Sequence, residues 1–223
     1  TCFVVTDIDE STDPPTAWLS RTIVQQKAQD RLLDSLRPGD VIPARVTHLE
    51  PFGAFVDAGC GVPSLIGIEN LSVSRICHPS DRLTVGQSIL AAVRTVEPEN
   101  RRISLTHREL LGTWAQNAAL FSVGETVRGV VRSIEPYGVF IELTPNLSGL
   151  AEPRADLRPG MAVSVYIKSI LPQRMKVKLT IIDVLAPYDA PTPPRYFITE
   201  GHIDEWTYTP VGCDKKPVKT VFE

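Results

Sequence analysis

Two spacings of apolar residues take turns along the chain. Between residues 39 and 106, apolar and polar positions alternate in five short runs, 41–49, 54–58, 64–68, 88–96 and 102–105, separated by Gly, Pro, Asn and Asp. A period of two is that of a half-buried strand, so five strands are predicted. Upstream the period lengthens. Val24, Ala28, Leu32 and Leu36 recur every four residues, Ser20 stands where a helix is capped, and Pro38-Gly39 ends the run. A second helix is predicted from Thr106-His107-Arg108-Glu109, which has the form of a capping box, through Leu110, Leu111, Trp114, Ala118 and Phe121 to Ser122. The apolar stripes of both helices read as packing faces.

The strand pattern occurs twice. GDVIPARVTHLEPFGAFVD from Gly39 recurs as GETVRGVVRSIEPYGVFIE from Gly124, 85 residues on. VGQSILAAVRTVEPENRRISLT (85–106) recurs as PGMAVSVYIKSILPQRMKVKLT (159–180), now 74 residues on. The second copy therefore lacks 11 residues, which fall within LSVSRICHPSDRL (71–83) of the first. Units of this length are tandem domains, since the repeats of a solenoid are shorter. Five short strands in about 65–70 residues fit a small closed barrel, of which the five-stranded OB-fold is the common form. The fold class expected is all-β dominated, with tandem OB-fold barrels joined by short helices.

Four segments follow: 1–37, the C-terminal strands of a truncated barrel and a linker helix; 38–121, a barrel with a trailing helix; 122–185, a shorter barrel; and 186–223, a Pro-rich linker, PYDAPTPP, with a β-rich tail. The first rests on VVTDIDESTDPPTAWLSR (4–21), which parallels VRTVEPENRRISLTHR (93–108). Thr1 enters directly into the apolar run CFVV, which reads as a chain with residues upstream of it. The strand-like runs RYFIT, HIDEWTYT and VKTVF of the tail are expected to pair with the N-terminal strands.

Counting faces then separates core from surface. In AFVDA, Ala54, Val56 and Ala58 share one face, opposite Phe55 and Asp57; in VFIEL, Val139, Ile141 and Leu143 lie opposite Phe140 and Glu142. The all-apolar face belongs inside a barrel, so Phe55 and Phe140 point outward beside a carboxylate. Phe52 and Tyr137 precede Gly53 and Gly138 at the turn into that strand, and glycine there is expected to permit a sharp bend. Outward rings on a small barrel form a stacking platform for the bases of a single strand; the alternative use is packing on a linker helix or the neighbouring barrel. Phosphate-binding cations are expected among Arg45, Arg94, Arg101 and Arg102 in the first copy and Arg128, Arg132, Lys168, Arg174 and Lys176 in the second. Trp18, Trp114 and Trp206 are expected as anchors between modules.

A net charge of −3 and a pI near 5.8 lack the overall basicity common in nucleic-acid binders. The charge is unevenly divided. Residues 39–110 hold 7 Lys and Arg against 8 Asp and Glu, whereas residues 122–185 hold 8 against 6, so the second barrel is expected to supply more of any electrostatic binding. Cys2, Cys60, Cys77 and Cys213 show no C-x-x-C spacing and read as the reduced thiols of a cytosolic protein. No run of about 18 apolar residues marks a membrane span, no metal-ligand spacing surrounds Cys77-His78 or His202, and no catalytic constellation is present. No cofactor, metal or small-molecule substrate is expected.

The opening G-x-x-x-x-x-x-V-x-x-x-x-x-F-G-A-F-V-D, the following GxxxLIGIENLS, the VGQ turn and the ENRRISLT ending together resemble the S1-type RNA-binding domain, the OB-fold module named for a protein of the small ribosomal subunit. The resemblance covers residues 39–110 and 124–182. It implies single-stranded RNA, mRNA or rRNA, as partner, with the ribosome as a further one, in translation or RNA turnover in the cytoplasm. It also implies ring contacts at Phe52 and Phe55, then Tyr137 and Phe140, with an acid and a base near Glu97 and Arg102, aligned with Leu171 and Lys176. The family's third-strand histidine aligns with Gly67 and Glu152, and its fourth-strand outward positions, often lysine, are Leu90 and Ala92, then Ser164 and Tyr166. The competing function is a protein-interaction scaffold that docks on the ribosome or an RNA-processing enzyme.

Overall fold

A computed structural model describes residues 3–186 and 193–223, so Thr1, Cys2 and residues 187–192 of the Pro-rich linker lie outside the described residues. The chain opens with a hairpin of β1 (Val4–Asp9) and β2 (Thr16–Ser20), then α1 (Arg21–Ser35). The first barrel follows as β3 (Val41–Glu50), β4 (Gly53–Asp57), β5 (Pro63–Gly67), β6 (Ser88–Glu97) and β7 (Arg102–Thr106), closed in the order β3-β4-β5-β7-β6. After α2 (Trp114–Ala118) the second barrel repeats that order with β8 (Thr126–Glu135), β9 (Gly138–Thr144), β10 (Leu147–Ala151), β11 (Ala162–Leu171) and β12 (Lys176–Val184). In each barrel the third and fifth strands pair in parallel and close the sheet, the five-stranded OB arrangement expected from the sequence. The interiors are filled by the alternating residues, with Ala54, Val56, Ile66, Val93 and Leu105 fully buried in one barrel and Val139, Ile141, Val165, Ile167 and Leu179 in the other, at most 2% exposed.

The helix α1 is capped by Ser20, whose hydroxyl oxygen accepts from the Ile23 N–H at 3.3 Å, and its Leu32 and Leu33, with Leu36 at its end, pack on the first barrel's core. The second predicted helix is broken in two. Gly112 takes a φ of +84, so residues 108–111 form a single tight turn and α2 starts afresh at Thr113, which makes a true capping box with Gln116. The Thr106 and Glu109 side chains do meet, but with Thr106 Oγ1 donating to the buried Glu109 carboxylate, which also accepts from Thr220 Oγ1 at 2.8 Å. The pattern read as a capping box is thus a buried side-chain bond.

The expected pairing of tail with N-terminus does not form. Within the tail, β13 (Glu205–Thr207) pairs with β14 (Lys219–Val221), and His202 bridges to Asp40 at the start of the first barrel. The physical reason is the apolar content of the tail: Ile203, Trp206, Tyr208 and Phe222 are buried in one continuous core with Leu110, Trp114 and the interior of the second barrel. The hairpin β1–β2 instead stands as a two-stranded sheet. Its register, Val5↔Leu19 then a bulge then Asp7↔Trp18, matches Val93↔Leu105, bulge, Thr95↔Ser104 of β6–β7. Val5 and Leu19 are 52% and 56% exposed, whereas their counterparts Val93 and Leu105 are at 0%. Trp114 and Trp206 are the anchors foreseen; Trp18 is not, because it occupies the outward position of that hairpin and is 62% exposed.

The extra segment of the first copy joins the barrels. Within residues 71–83, the Val73 N–H donates to Asn146 Oδ1 at 2.9 Å, Ser74 and Ser148 share a hydroxyl hydrogen bond of 2.8 Å, and Arg82 Nη1 donates to Glu142 Oε1 at 2.8 Å.

Candidate nucleic-acid interface

The β3–β4 and β8–β9 turns build the same ring pair. Phe52 and Phe55 stand edge to face at 6.0 Å between centroids, and Tyr137 and Phe140 at 6.2 Å. Phe52 and Tyr137 are 56% and 67% exposed, so neither is packed away on a helix or neighbouring barrel. Close packing adds a second cause for glycine to the turn expected there, where Gly138 takes a φ of +158. A Cβ on Gly53 would lie 2.4 Å from the Ile66 carbonyl oxygen, and one on Gly138 would lie 2.6 Å from that of Ala151. A side chain is excluded at both positions because the next strand's backbone passes close by.

Register extends that surface across each sheet. In the first barrel the outward row runs His48, Phe55, Leu65, Ser104, Thr95; in the second it runs Ser133, Phe140, Leu150, Lys178, Ser169. Ser104, which shares a hydrogen bond of 2.6 Å with Thr95, thus has a lysine as its counterpart. Two residues further along the last two strands Glu97 pairs with Arg102, and Leu171 with Lys176, the positions near which the resemblance implies an acid and a base.

The second surface is a groove of about 420 Å³ lined by Tyr137, Phe140, Lys168, Lys176, Lys178 and Lys215, among others. Of its acids, Glu152 is held by Lys168 at 3.2 Å. Lys168 and Lys176 were singled out from the sequence. Lys178 was missed, although it lies two residues along the same strand face as Lys176 and the same alternation would have found it. Lys215 carries no local signal, because it comes from the tail. His48, opposite Phe55 and bonded to Glu50 at 2.7 Å, was also missed.

The arginines disperse. Arg102 is exposed at the β6–β7 turn, Arg94 donates to Asn70 Oδ1 at 3.0 Å, and Arg45 donates to the Gly86 carbonyl at 3.2 Å. Arg101 turns to α1 and pairs with Asp30 at 2.7 Å, and Arg174 is exposed in the β11–β12 turn. Arg128 and Arg132 do not join the ring groove. Both line the hollow between the barrels with Arg82, and Arg132 is paired with Glu142 at 2.8 Å and with Asp81 at 3.5 Å. Glu142, read as outward beside Phe140, is outward from its own barrel but buried by these arginines, at 7% exposure. Leu90 and Ala92 show the same reversal. They are packed in the core between barrels, and the Leu90 N–H donates to the Tyr196 hydroxyl at 3.1 Å, so apolar residues stand there because the tail covers that face.

Fold and surface define a class: a pair of OB barrels, each presenting one exposed and one half-buried aromatic ring, the second pair in a lysine-lined groove. Residues 35–108 match the family profile described as the S1 RNA binding domain. The chain is 32% identical over 218 residues to the small ribosomal subunit protein bS1 of Staphylococcus epidermidis, covering 88% of this chain and 55% of that protein. It is 32% identical over 179 residues to the bS1 of Staphylococcus aureus, covering 73% of this chain and 46% of that protein. The chain thus spans about half the length of the curated relatives it matches. The solution structure of GSP13 from Bacillus subtilis is similar at 27% identity and a TM-score of 0.32, over 38% of this chain and 60% of that one. Residues 35–108 belong to the S1-type RNA-binding domain family, and the likeness to bS1 extends over most of the chain.

Proposed function

We propose that the chain binds single-stranded RNA on the ring-bearing faces of its two barrels and acts in translation in the cytoplasm, with the small ribosomal subunit and the mRNA or rRNA on it as partners. The observation that carries this reading is the second groove, where the exposed Tyr137 ring and the half-buried Phe140 ring, set at 89°, share one surface with lysines from three different segments of chain. The edge of one ring abuts the other's face, so each keeps one face open to a base, and stacking is worth about 1–3 kcal/mol per base with little preference for sequence. The lysines come from β11, β12 and the tail, and several cations on one groove suit a backbone of successive phosphates. Residues carried into the reading are Tyr137, Phe140, Lys168 and Lys176 in the second barrel, and Phe52, Phe55 and Arg102 in the first. The relatives' description as small-subunit ribosomal proteins supports the setting, and the function invoked is binding, with no reacting group.

The test is fluorescence anisotropy with a labelled single-stranded RNA and a duplex DNA of equal length across a salt series. Tight binding of the single strand, weakened by salt and by Phe140→Ala, is expected. Equal affinity for the duplex, or a Phe55→Ala/Phe140→Ala double variant that binds as well as the parent, overturns the reading. In the second case a pulldown that survives nuclease would point instead to a protein partner.

A further inference from the structure

The groove of the second barrel has a wall that the barrel does not supply. Downstream of residue 193 the chain runs back over both barrels. Tyr196 bonds the first barrel at Leu90, and His202 bridges to Asp40. The Trp114 N–H donates to the Tyr208 carbonyl at 3.1 Å, and the Tyr208 hydroxyl donates to the Asn146 carbonyl at 2.5 Å. The turn between β13 and β14 then reaches the β11–β12 turn, where the Asp214 N–H donates to the Gln173 carbonyl at 3.1 Å. That bond sets the next residue, Lys215, on the groove, facing the same space as Tyr137, Phe140, Lys168, Lys176 and Lys178.

Two features argue that Lys215 meets a ligand rather than merely closing a turn. The tail is already fixed by four large buried side chains, Ile203, Trp206, Tyr208 and Phe222, so the turn needs no further anchor. Among the described residues Lys215 is in no ion pair, whereas Lys168 is held by Glu152 and Lys219 by Glu205. The outward row from Phe140 reaches Lys178 and Ser169, and Lys176, two residues along β12 toward the β11–β12 turn, lines the same groove as Lys215.

We propose that the C-terminal tail is part of the nucleic-acid site: Lys215 contacts a backbone phosphate of the strand whose bases stack on Tyr137 and Phe140. This rests on the RNA reading of that groove. The tail then has two roles, tying the barrels together and completing the site on one of them, and the second barrel's affinity depends on residues outside the repeat.

The experiment measures Kd for a labelled single-stranded oligouridylate against salt concentration, using the full chain and the variants Lys215→Ala, Lys216→Ala and Phe140→Ala. Each phosphate contact on a single strand adds about 0.7 to the slope of log K against log salt. Lys215→Ala is expected to raise Kd about fivefold at low salt and to lower that slope by about 0.7, while Lys216→Ala, one residue on and not lining the groove, leaves both unchanged. A Lys215→Ala chain with the parent Kd and slope, alongside a Phe140→Ala chain that has lost binding, overturns the proposal and leaves the RNA reading standing. Equal losses from Lys215→Ala and Lys216→Ala also overturn it, by showing a diffuse effect of charge. Failure of the parent chain to bind the oligouridylate defeats the RNA reading and this proposal together. Circular dichroism of Lys215→Ala, expected to match the parent, keeps loss of fold apart from loss of contact.

Discussion

The ring of His107 is held with Nδ1 3.0 Å from the Leu71 carbonyl oxygen and Nε2 3.0 Å from the Tyr196 hydroxyl. A carbonyl can only accept, so Nδ1 carries the proton and Nε2 accepts from Tyr196, whose oxygen accepts in turn from the Leu90 N–H. Burial then pushes the ring's pKa down to about 4, with the Leu71 bond opposing and the Arg82 charge assisting. The sign of the consequence is fixed. Above the ordinary value near 6.5 both folded and unfolded rings are neutral and His107 contributes no pH dependence. As pH falls from about 6.5 toward 4, only the unfolded ring takes up a proton, so stability is lost over that window, by about 3 kcal/mol in all. Urea unfolding at pH 7.5 and 4.5 should show this loss in the parent and its absence in His107→Asn. A His107 ring resonance that titrates near 6.5 in the folded protein would refute the account.

Among elements, the segment 71–83 has the clearest task. It is what the second copy lacks, and it delivers Arg82 to Glu142, both nearly dry at 5% and 7% side-chain exposure. Arg132 and Asp81 complete a cluster of two positive and two negative groups. Removing one member of a buried pair strands the other charge, which costs about 3–5 kcal/mol, whereas apolar replacement of both is often neutral. Glu142→Ala is therefore expected to lose about 3–5 kcal/mol in urea unfolding, and Arg82→Met/Glu142→Leu to recover most of it. A Glu142→Ala loss below about 1 kcal/mol would place the pair in effective contact with water. The insertion was legible as a gap between two copies. Its use was not, because its partners lie about 60–75 residues downstream on another barrel's surface.

For the whole molecule, the two ring-bearing faces are unequal. One row carries Ser104 where the other carries Lys178, and the second ring pair shares its groove with four lysines. Tyr137→Ala/Phe140→Ala should weaken RNA binding more than Phe52→Ala/Phe55→Ala, and the binding left in the former should depend less on salt. Anisotropy on the two double variants across a salt series checks both. Equal losses would mean that the rings alone set affinity and the lysines are solvated bystanders. The balance of residues 39–110 against 122–185 already pointed this way, though Arg128 and Arg132, counted toward the second barrel, are used up at the seam.

The sequence by itself determined the barrels, their duplication, their strand order by class, and the outward direction of Phe55 and Phe140. All of these follow from a period of two and from turn residues, which are local properties that the chain cannot satisfy in another way. Only the tertiary structure decided which outward positions stay in water. Glu142, Leu90 and Ala92 face away from their own barrel and are nevertheless buried, while Val5, Leu19 and Trp18 of the first hairpin are exposed. The same step drew Arg132 away from the ring face and brought Lys215 to it. Burial on an outer face depends on the surface that another segment lays against it, and no alternation within a strand encodes that partner. The phrases EPFGAFVDA and EPYGVFIEL are nearly the same, yet Asp57 is half-buried on the first barrel and Glu142 lies closed under two arginines.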